Sequence, residues 1–161
     1  MSDPEAVARA IVLRQLTMRP RSRSQLAQKL RERGCPQDVA ARVLDRMTEV
    51  GLVDDEAYAE LLVRSKRATR GLARRALASE LRSHGIEPEV ADEALDAVGS
   101  EQERALAEEL VAKRLRTLQG LDAQVQARRL AGMLARKGYP GEVAWPVIRD
   151  ALAAASEHQR D

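Results

Sequence analysis

The sequence predicts an all-α protein, an elongated, curved array of three tandem three-helix repeats with about nine helices. Three observations predict this class. The 161 residues include no Phe, one Trp and two Tyr, so aliphatic side chains and alanine must fill the core, which favours helices over sheets. Apolar residues recur at helical spacing along most of the chain. The sequence also repeats itself about every 50 residues, a period typical of helical arrays.

The repeat is visible when the chain is aligned with itself. A shift of 51 residues superimposes positions 3–45 on 54–96 without a gap. A further shift of 53 residues carries part of the pattern into a third copy, where Leu130, Leu134 and Gly138 continue a Leu-x3-Leu-x3-Gly frame. Short connections mean that neighbouring repeats cover the faces that one repeat leaves open. We therefore expect helical repeats at residues 1–52, 53–99 and 100–161.

In the first repeat, a helix begins at Pro4 and ends before Pro20, because proline suits a first turn but cannot continue a helix. Ser22 and Gln25 then form a capping box, in which each side chain satisfies an unpaired backbone N–H. The second helix ends at Gly34, a residue that tolerates the left-handed conformation after a helix end. The apolar residues predicted to face the core are Val7, Ala10, Ile11, Leu16, Leu26, Leu30, Val39, Val43, Leu44 and Met47.

A third helix is expected over residues 36–50, and the second repeat then follows the same order. Either Asp54 or Asp55 caps its first helix, and Gly71 ends that helix. Its second helix ends at Gly85. The residues that carry the helical pattern of this repeat are Tyr58, Leu61, Leu62, Leu77, Leu81, Val90, Ala94 and Leu95.

The third repeat begins with a second predicted capping box, formed by Ser100 and Glu103. Asp122 is the expected cap of the following helix. The last helix contains Pro146, which costs about 3 kcal/mol in a helix interior. We therefore expect this helix to start late or to kink near Trp145, a side chain expected to pack within the third repeat.

The composition argues against a membrane or secreted protein. No apolar run approaches the roughly 18 residues that a spanning helix needs, and residues 1–5 are acidic and lack the apolar segment of a signal peptide. The single cysteine, Cys35, cannot form an internal disulfide. The cytoplasm is the expected compartment.

No enzyme site is apparent, so neither catalytic residues nor a cofactor or metal is predicted. The sequence lacks a phosphate-binding glycine loop, a nucleophile elbow and a metal-spaced cluster of His, Cys and carboxylates. The acidic residues at 54–56 could be read as a metal site, but carboxylates at a helix start are better explained by the helix dipole. His84, just before Gly85, is interpreted as a cation at a helix end in the same way.

The charge is segregated along the chain although 27 basic residues nearly balance 25 acidic ones. Arg9–Arg33 holds eight basic residues against one acidic, and Leu61–Ile86 and Lys113–Lys137 each hold seven against one. Pro36–Glu60 holds two basic residues against seven acidic, and Glu87–Ala112 holds one against nine. Basic segments thus surround the junctions of first and second helices, while the third helices are acidic.

If the repeats place these basic segments on one side, the surface suits a phosphate backbone or an acidic protein. Stacking platforms for bases are missing, so nucleic-acid binding would be backbone-directed, sequence-nonspecific and salt-dependent. The alternative is that the charges are solvated faces, paired with the acidic third helices. The candidate partner-binding and DNA-binding residues are Arg19, Arg21, Arg23, Lys29, Arg64, Lys66, Arg67, Arg70, Arg74, Arg75, Lys113, Arg114, Arg128 and Arg129.

Four segments resemble the hallmark sequences of the bacterial RecX regulators. They are R-P-R-S-x-x-Q-L-x-x-K-L-x-x-x-G at 19–34, V-G-L-V-D-D-E-x-Y-A at 50–59, E-L-x-x-x-G-I at 80–86 and L-x-x-x-G-Y at 134–139. They occur in the order found in that family, and the resemblance spans about residues 8–150. The family's plan of three repeats and nine helices agrees with the plan predicted from the self-alignment.

The resemblance implies a negative regulator of the RecA recombinase and hence of DNA repair, the SOS response and homologous recombination. Family members bind in the groove of RecA–DNA filaments, contact DNA, and block filament extension, strand exchange, ATPase and co-protease activity. The expected partners are therefore the RecA nucleoprotein filament and, more weakly, DNA, with the protein a monomer. Two alternatives remain: a sequence-nonspecific DNA-binding helical protein, and a helical adaptor for an unrelated partner.

Overall fold

The computed structural model describes residues 3–160, so the outer limits of the predicted repeats, residues 1 and 161, lie outside the described residues. Within them the chain forms nine α-helices and one short 3₁₀ helix, with no strand. The all-α class is confirmed. The helices are α1 Pro4–Met18, α2 Arg23–Glu32, α3 Gln37–Glu49, α4 Asp55–Arg70, α5 Arg74–Ser83, α6 Pro88–Asp96, α7 Ser100–Leu115, α8 Ala123–Arg136 and α9 Gly141–Arg160.

The chain folds into two compact units. Unit 1 comprises residues 3–62 and Glu80–Ala94, and unit 2 comprises Val63–Ser79 and residues 95–160. In unit 1, helices α1, α2 and α3 pack against one another. In unit 2, α7, α8 and α9 do the same. Each unit thus contains one complete three-helix repeat and its own apolar core.

The buried face of α1 differs from the predicted stripe. Ala8, Val12 and Gln15 are buried, whereas Val7 is 47% exposed and Ala10 is also exposed. The true stripe is therefore rotated by one residue. The prediction was wrong for Val7 and Ala10, whereas Ile11 and Leu16 pack against the core as predicted. The small Ala8 takes the buried position because it lets the helix backbone approach its neighbours closely.

The predicted caps of unit 1 are largely confirmed. Ser22 and Gln25 form the capping box at the start of α2: the backbone N–H of Ser22 donates to Oε1 of Gln25 over 3.0 Å, and the backbone N–H of Gln25 donates to Oγ of Ser22 over 3.2 Å. Asp54 is the residue that caps α4, since its carboxylate accepts from the backbone N–H of Ala57 at 3.0 Å. Gly34 ends α2 with a left-handed φ of +78°.

The predicted capping box of the third repeat is wrong. The N-cap of α7 is Gly99, one residue before the predicted cap Ser100. The backbone N–H of Gly99 donates to Oε1 of Gln102 at 3.2 Å. Glu103 is instead buried, and its carboxylate contacts the start of α5. The misassignment arose because two overlapping pairs, Ser100 with Glu103 and Gly99 with Gln102, both fit the spacing of a capping box.

The last helix does not start late. Helix α9 begins at Gly141 and contains Pro146 within its second turn. Proline there removes one backbone N–H, and the burial of Ala144, Val147 and Ile148 on the same helix offsets that loss. The expectation that Trp145 packs within the third repeat is wrong: its side chain is 46% exposed.

Candidate protein and nucleic-acid interface

In unit 1, the candidate cations lie at the end of α1 and along α2. Arg19 is exposed, whereas Arg21, Arg23 and Lys29 are half-buried. Lys29 forms a 3.7 Å ion pair with Glu32 one turn further along the same helix. Such an exposed pair within one helix contributes little to stability.

Arg23 is part of the fold. Its guanidinium forms a 2.7 Å ion pair with Asp45 of α3 and lies 3.4 Å from the hydroxyl of Thr48. Its backbone N–H donates to the carboxylate of Asp55 at 2.8 Å. Arg23 therefore pairs with the acidic third helix, as the alternative interpretation of the charge pattern predicts.

The positive charges of Arg19 and Arg21 act on the hydroxyl of Tyr58. Burial raises the pKa of Tyr58, while the hydrogen bond from Gln25 and the positive charges of both arginines act to lower that pKa. The same hydroxyl lies 2.6 Å from Nδ1 of His84. His84 is thus held by a hydrogen bond at the end of α5, beyond the simple helix-end cation that the sequence suggested.

In unit 2, helix α4 carries four of the candidate cations. Arg64 and Arg70 are exposed, and Lys66 and Arg67 are half-buried. Arg67 lies close enough to Tyr139 for its charge to lower the pKa of that hydroxyl, although burial has the larger effect and raises the pKa to about 12.

Arg74 repeats the arrangement of Arg23 at the start of α5. Its guanidinium lies 3.7 Å from the carboxylate of Asp96 and donates to the carbonyl of Val98 at 3.2 Å. Arg23 and Asp45 are separated from Arg74 and Asp96 by the same 51 residues that relate the first two repeats. The next residue, Arg75, is exposed.

The remaining candidates lie on α7 and α8 and are all exposed: Lys113, Arg114, Arg128 and Arg129. Across the described part of the chain, no ion pair holds these four residues or the exposed Arg19, Arg64 and Arg75. Carboxylates of the third helices therefore neutralise Arg23 and Arg74. The seven exposed candidates named here form no such ion pair within the described residues.

The other chemistry considered for the sequence has structural explanations. Asp54 and Asp55 bind backbone N–H groups at the starts of α4 and α2. Among the residues that the structure describes, no three His, Cys, Asp or Glu side chains are grouped so that they could hold a metal ion. No helix in the same range is long and apolar enough to cross a membrane.

Two capping contacts between repeats were not predicted from the sequence, although both residues that make them were named as caps of their own helices. The carboxylates of Asp55 and Glu103 cap second helices of the preceding repeats, at Arg23 and Arg74. An acidic residue near the start of each first helix is visible in the sequence, but the backbone group that it reaches is not. Sequence spacing indicates only the cap of a residue's own helix.

These features define an all-α tandem-repeat protein with exposed candidate cations in both of its units. Models of three successive RecX domains match this chain: the first three-helix domain at residues 8–47, the second at 54–95 and the third at 101–148. The chain belongs to the RecX family of regulatory proteins.

Related sequences and structures agree with this assignment. Regulatory protein RecX of Streptomyces coelicolor is 51% identical over 96% of this chain and 82% of its own length. The RecX of Thermobifida fusca is 49% identical over 94% and 82%. The crystal structure of RecX from Lactobacillus salivarius has a TM-score of 0.85 at 19% identity, covering 94% of this chain and 98% of that one, and so shows the shared fold. A second RecX crystal structure gives 0.81 at 27% identity over 92% of this chain and 72% of that one.

Proposed function

We propose that this protein is a negative regulator of RecA. It binds in the groove of RecA–DNA filaments and blocks filament extension, strand exchange, ATPase and co-protease activity. The observation that carries the proposal is the combination of RecX family membership with seven exposed cations that lack internal ion pairs. The protein would act in the cytoplasm, as a monomer and by binding alone, on homologous recombination and the SOS response.

The mechanism we propose is steric and electrostatic. The three repeats, at residues 1–52, 53–99 and 100–161, would contact adjacent RecA protomers and occupy the groove that a second DNA or a repressor needs. Each repeat would contribute a modest contact. Because the repeats are linked, the second and third contacts form at a high effective concentration, so removing one repeat should weaken binding disproportionately.

The cationic surface would face the filament DNA or acidic RecA side chains. We assign the main role to the seven exposed cations without ion pairs, because their charge is not neutralised within the described fold. The half-buried Arg21, Lys66 and Arg67 and the exposed Arg70 would add to the field. Arg23, Lys29 and Arg74 already form ion pairs, and changing Arg23 or Arg74 would disturb the fold as well as the surface.

The test reverses two charges on α8 with the variant Arg128→Glu/Arg129→Glu. The matched control, Arg136→Glu/Arg149→Glu, makes the same change in net charge at two exposed residues outside the candidate set. We expect the first variant to lose co-sedimentation with RecA filaments and inhibition of RecA ATPase, while the control retains both. If both variants inhibit equally well, the proposed surface is wrong.

The second candidate function is sequence-nonspecific DNA binding, with indirect effects on RecA. It is favoured by the exposed arginines that form no ion pair, because such side chains suit a phosphate backbone of any sequence. A salt titration separates the two functions. If the protein binds DNA alone as tightly as it binds the RecA–DNA filament at every salt concentration, RecA contacts are not needed and the second function is correct.

A further inference from the structure

A groove of about 840 Å³ opens in the third repeat, between the end of α7, the start of α8 and the last turns of α9. Its apolar lining includes Leu115 of α7 and Leu152 of α9, with Leu121 at the beginning of α8 being 40% exposed. Small residues, among them Ala151 and Ala155, keep the α9 wall open. The groove has the size and the apolar character of a binding site.

The groove is also electrostatically one-sided. The ionisable side chains that line it are Arg116 and His158, and no carboxylate is among the lining residues. Helix α8 starts at the same place, and the side chain of Asp122 at its N-cap makes no capping hydrogen bond. The first N–H groups of α8 and the positive end of its dipole therefore add to the charge of Arg116.

The other two second helices show which group such a helix start binds in this protein. The backbone N–H of Arg23, the first residue of α2, donates to Asp55 at 2.8 Å. The backbone N–H of Arg74, the first residue of α5, donates to Glu103 at 2.6 Å. In both cases the carboxylate comes from within the first four residues of another helix. No following repeat supplies such a carboxylate to α8 in the described chain.

The contact cannot be copied residue by residue in the third repeat. Helix α8 has 14 residues, whereas α2 and α5 have 10 each. Helix α9 has 20 residues against 13 in α3, and its additional turns form one wall of the groove. By analogy with α2 and α5, we expect the start of α8 to bind a carboxylate from the first turn of a neighbouring helix. The surface around that position differs from the surfaces in the first two repeats.

We propose that this groove binds an amphipathic helix of a partner protein. The partner helix would place an acidic residue of its first turn against Arg116 and the start of α8. Its apolar residues, at i, i+3, i+4 and i+7, would enter between α7 and α9. Charge complementarity selects this occupant, because the lining of the groove contains the guanidinium of Arg116 and no carboxylate. The inference is independent of the cationic surface proposed above.

The test uses a designed acidic amphipathic helix with Glu in its first turn and Leu at the four apolar positions. A scrambled peptide of the same composition is the peptide control. We expect the designed peptide to shift the amide NMR signals of the α8 start, around Leu121 and Ala123, and to bind in calorimetry. The scrambled peptide should do neither.

Two matched variants on α9 make the test specific. Ala154 lines the groove and Ala153 does not, and both are exposed. We expect Ala154→Glu to lower the affinity for the designed peptide by at least about tenfold, because the larger side chain occupies the groove and its charge repels the acidic peptide. Ala153→Glu should leave its affinity unchanged, and equal thermal stability of both variants would show that each is folded.

Three outcomes would overturn the proposal. The first is no binding of the designed peptide to the wild-type protein. The second is binding that Ala154→Glu does not weaken. The third is a shift of the groove signals with protein concentration alone, without peptide, since a second copy of the chain would then be the occupant.

Discussion

The carboxylate of Glu103, on α7, accepts a 2.6 Å hydrogen bond from the backbone N–H of Arg74, the first residue of α5. Asp55, on α4, does the same at 2.8 Å for Arg23, the first residue of α2. In each pair the first helix of one repeat caps the second helix of the preceding repeat. These contacts join consecutive repeats through a charge-assisted hydrogen bond to a helix start, which is among the stronger kinds in proteins.

The first prediction concerns the stability that Glu103 provides. Glu103 is 8% exposed, so Glu103→Ala leaves the N–H of Arg74 without its partner in a largely buried place. We expect a loss of about 1–3 kcal/mol in the free energy of unfolding, measured by urea denaturation. Glu101→Ala removes an exposed carboxylate from the first turn of the same helix and should change stability much less. Equal losses for the two variants would contradict a capping role for Glu103.

The second prediction compares two glycines with similar backbones. Gly138 and Gly120 have left-handed φ angles of +94° and +88°. A Cβ on Gly138 would lie 2.6 Å from the backbone nitrogen of Ala76, whereas a Cβ on Gly120 would meet nothing within 4 Å. Both alanine variants should be less stable than wild type by roughly 1–2 kcal/mol, because alanine is strained in the left-handed conformation.

Gly138→Ala should lose more than this, because Ala73 donates to the carbonyl of Lys137 at 2.8 Å and holds the two backbones together. The measurement is the difference in melting temperature between the two variants. If Gly120→Ala is as destabilised as Gly138→Ala, the close approach at Ala76 does not matter.

Much of the fold could be predicted because the signals that begin and end its helices are local. The capping box of Ser22 and Gln25 and the helix end at Gly34 depend on residues within one or two turns, so spacing alone identifies them. The rotated stripe of α1 could not be predicted, because the choice between Val7 and Ala8 depends on how closely α1 approaches its neighbours. That distance is a property of tertiary packing.

The candidate site could be predicted only in part. Charge counting identified the basic segments, and Arg75 and Arg128 are indeed exposed. It could not identify which cations the fold uses, because the pairs of Arg23 with Asp45 and of Arg74 with Asp96 each join residues 22 apart in sequence. Such a pair depends on how the second and third helices of one repeat pack together.

The third prediction uses the ion pair of Arg74 to test internal neutralisation. Asp96→Asn removes the ion-pair partner 3.7 Å away, so the charge of the guanidinium is no longer neutralised and can contact a phosphate, although its hydrogen bond to the carbonyl of Val98 remains. The pair is exposed, so stability should fall by no more than about 1 kcal/mol. The salt dependence of DNA binding should become steeper, by up to about 0.9 in the slope for one additional phosphate contact.

Asp92→Asn is the control for this effect. Asp92 is an exposed carboxylate on the same helix, so its removal changes the net charge equally without releasing Arg74. The measurement is DNA affinity over a range of salt concentrations. If the two variants give the same slope, either the ion pair does not restrain Arg74 or this arginine does not face DNA.

The fourth prediction is a loss of stability in alkaline solution caused by Tyr139. This hydroxyl is buried and donates a 2.9 Å hydrogen bond to the carbonyl of Gly71. Burial raises its pKa from 10.0 to about 12. Because the folded pKa lies above the unfolded one, the contribution of Tyr139 is fully present below pH 10 and is lost as the pH rises from 10 to 12.

Tyr139→Phe removes both the hydrogen bond and the ionisable group. Near neutral pH, we expect this variant to be less stable than wild type by about 0.5–1.5 kcal/mol, the usual net contribution of one hydrogen bond. The difference should shrink between pH 10 and 12, since only the wild-type protein has to keep a buried tyrosine protonated there. The two proteins differ only at residue 139, so comparing their urea denaturation at each pH isolates the effect of Tyr139. A difference that stays constant across this pH range would mean that Tyr139 ionises in the folded protein as easily as in the unfolded one.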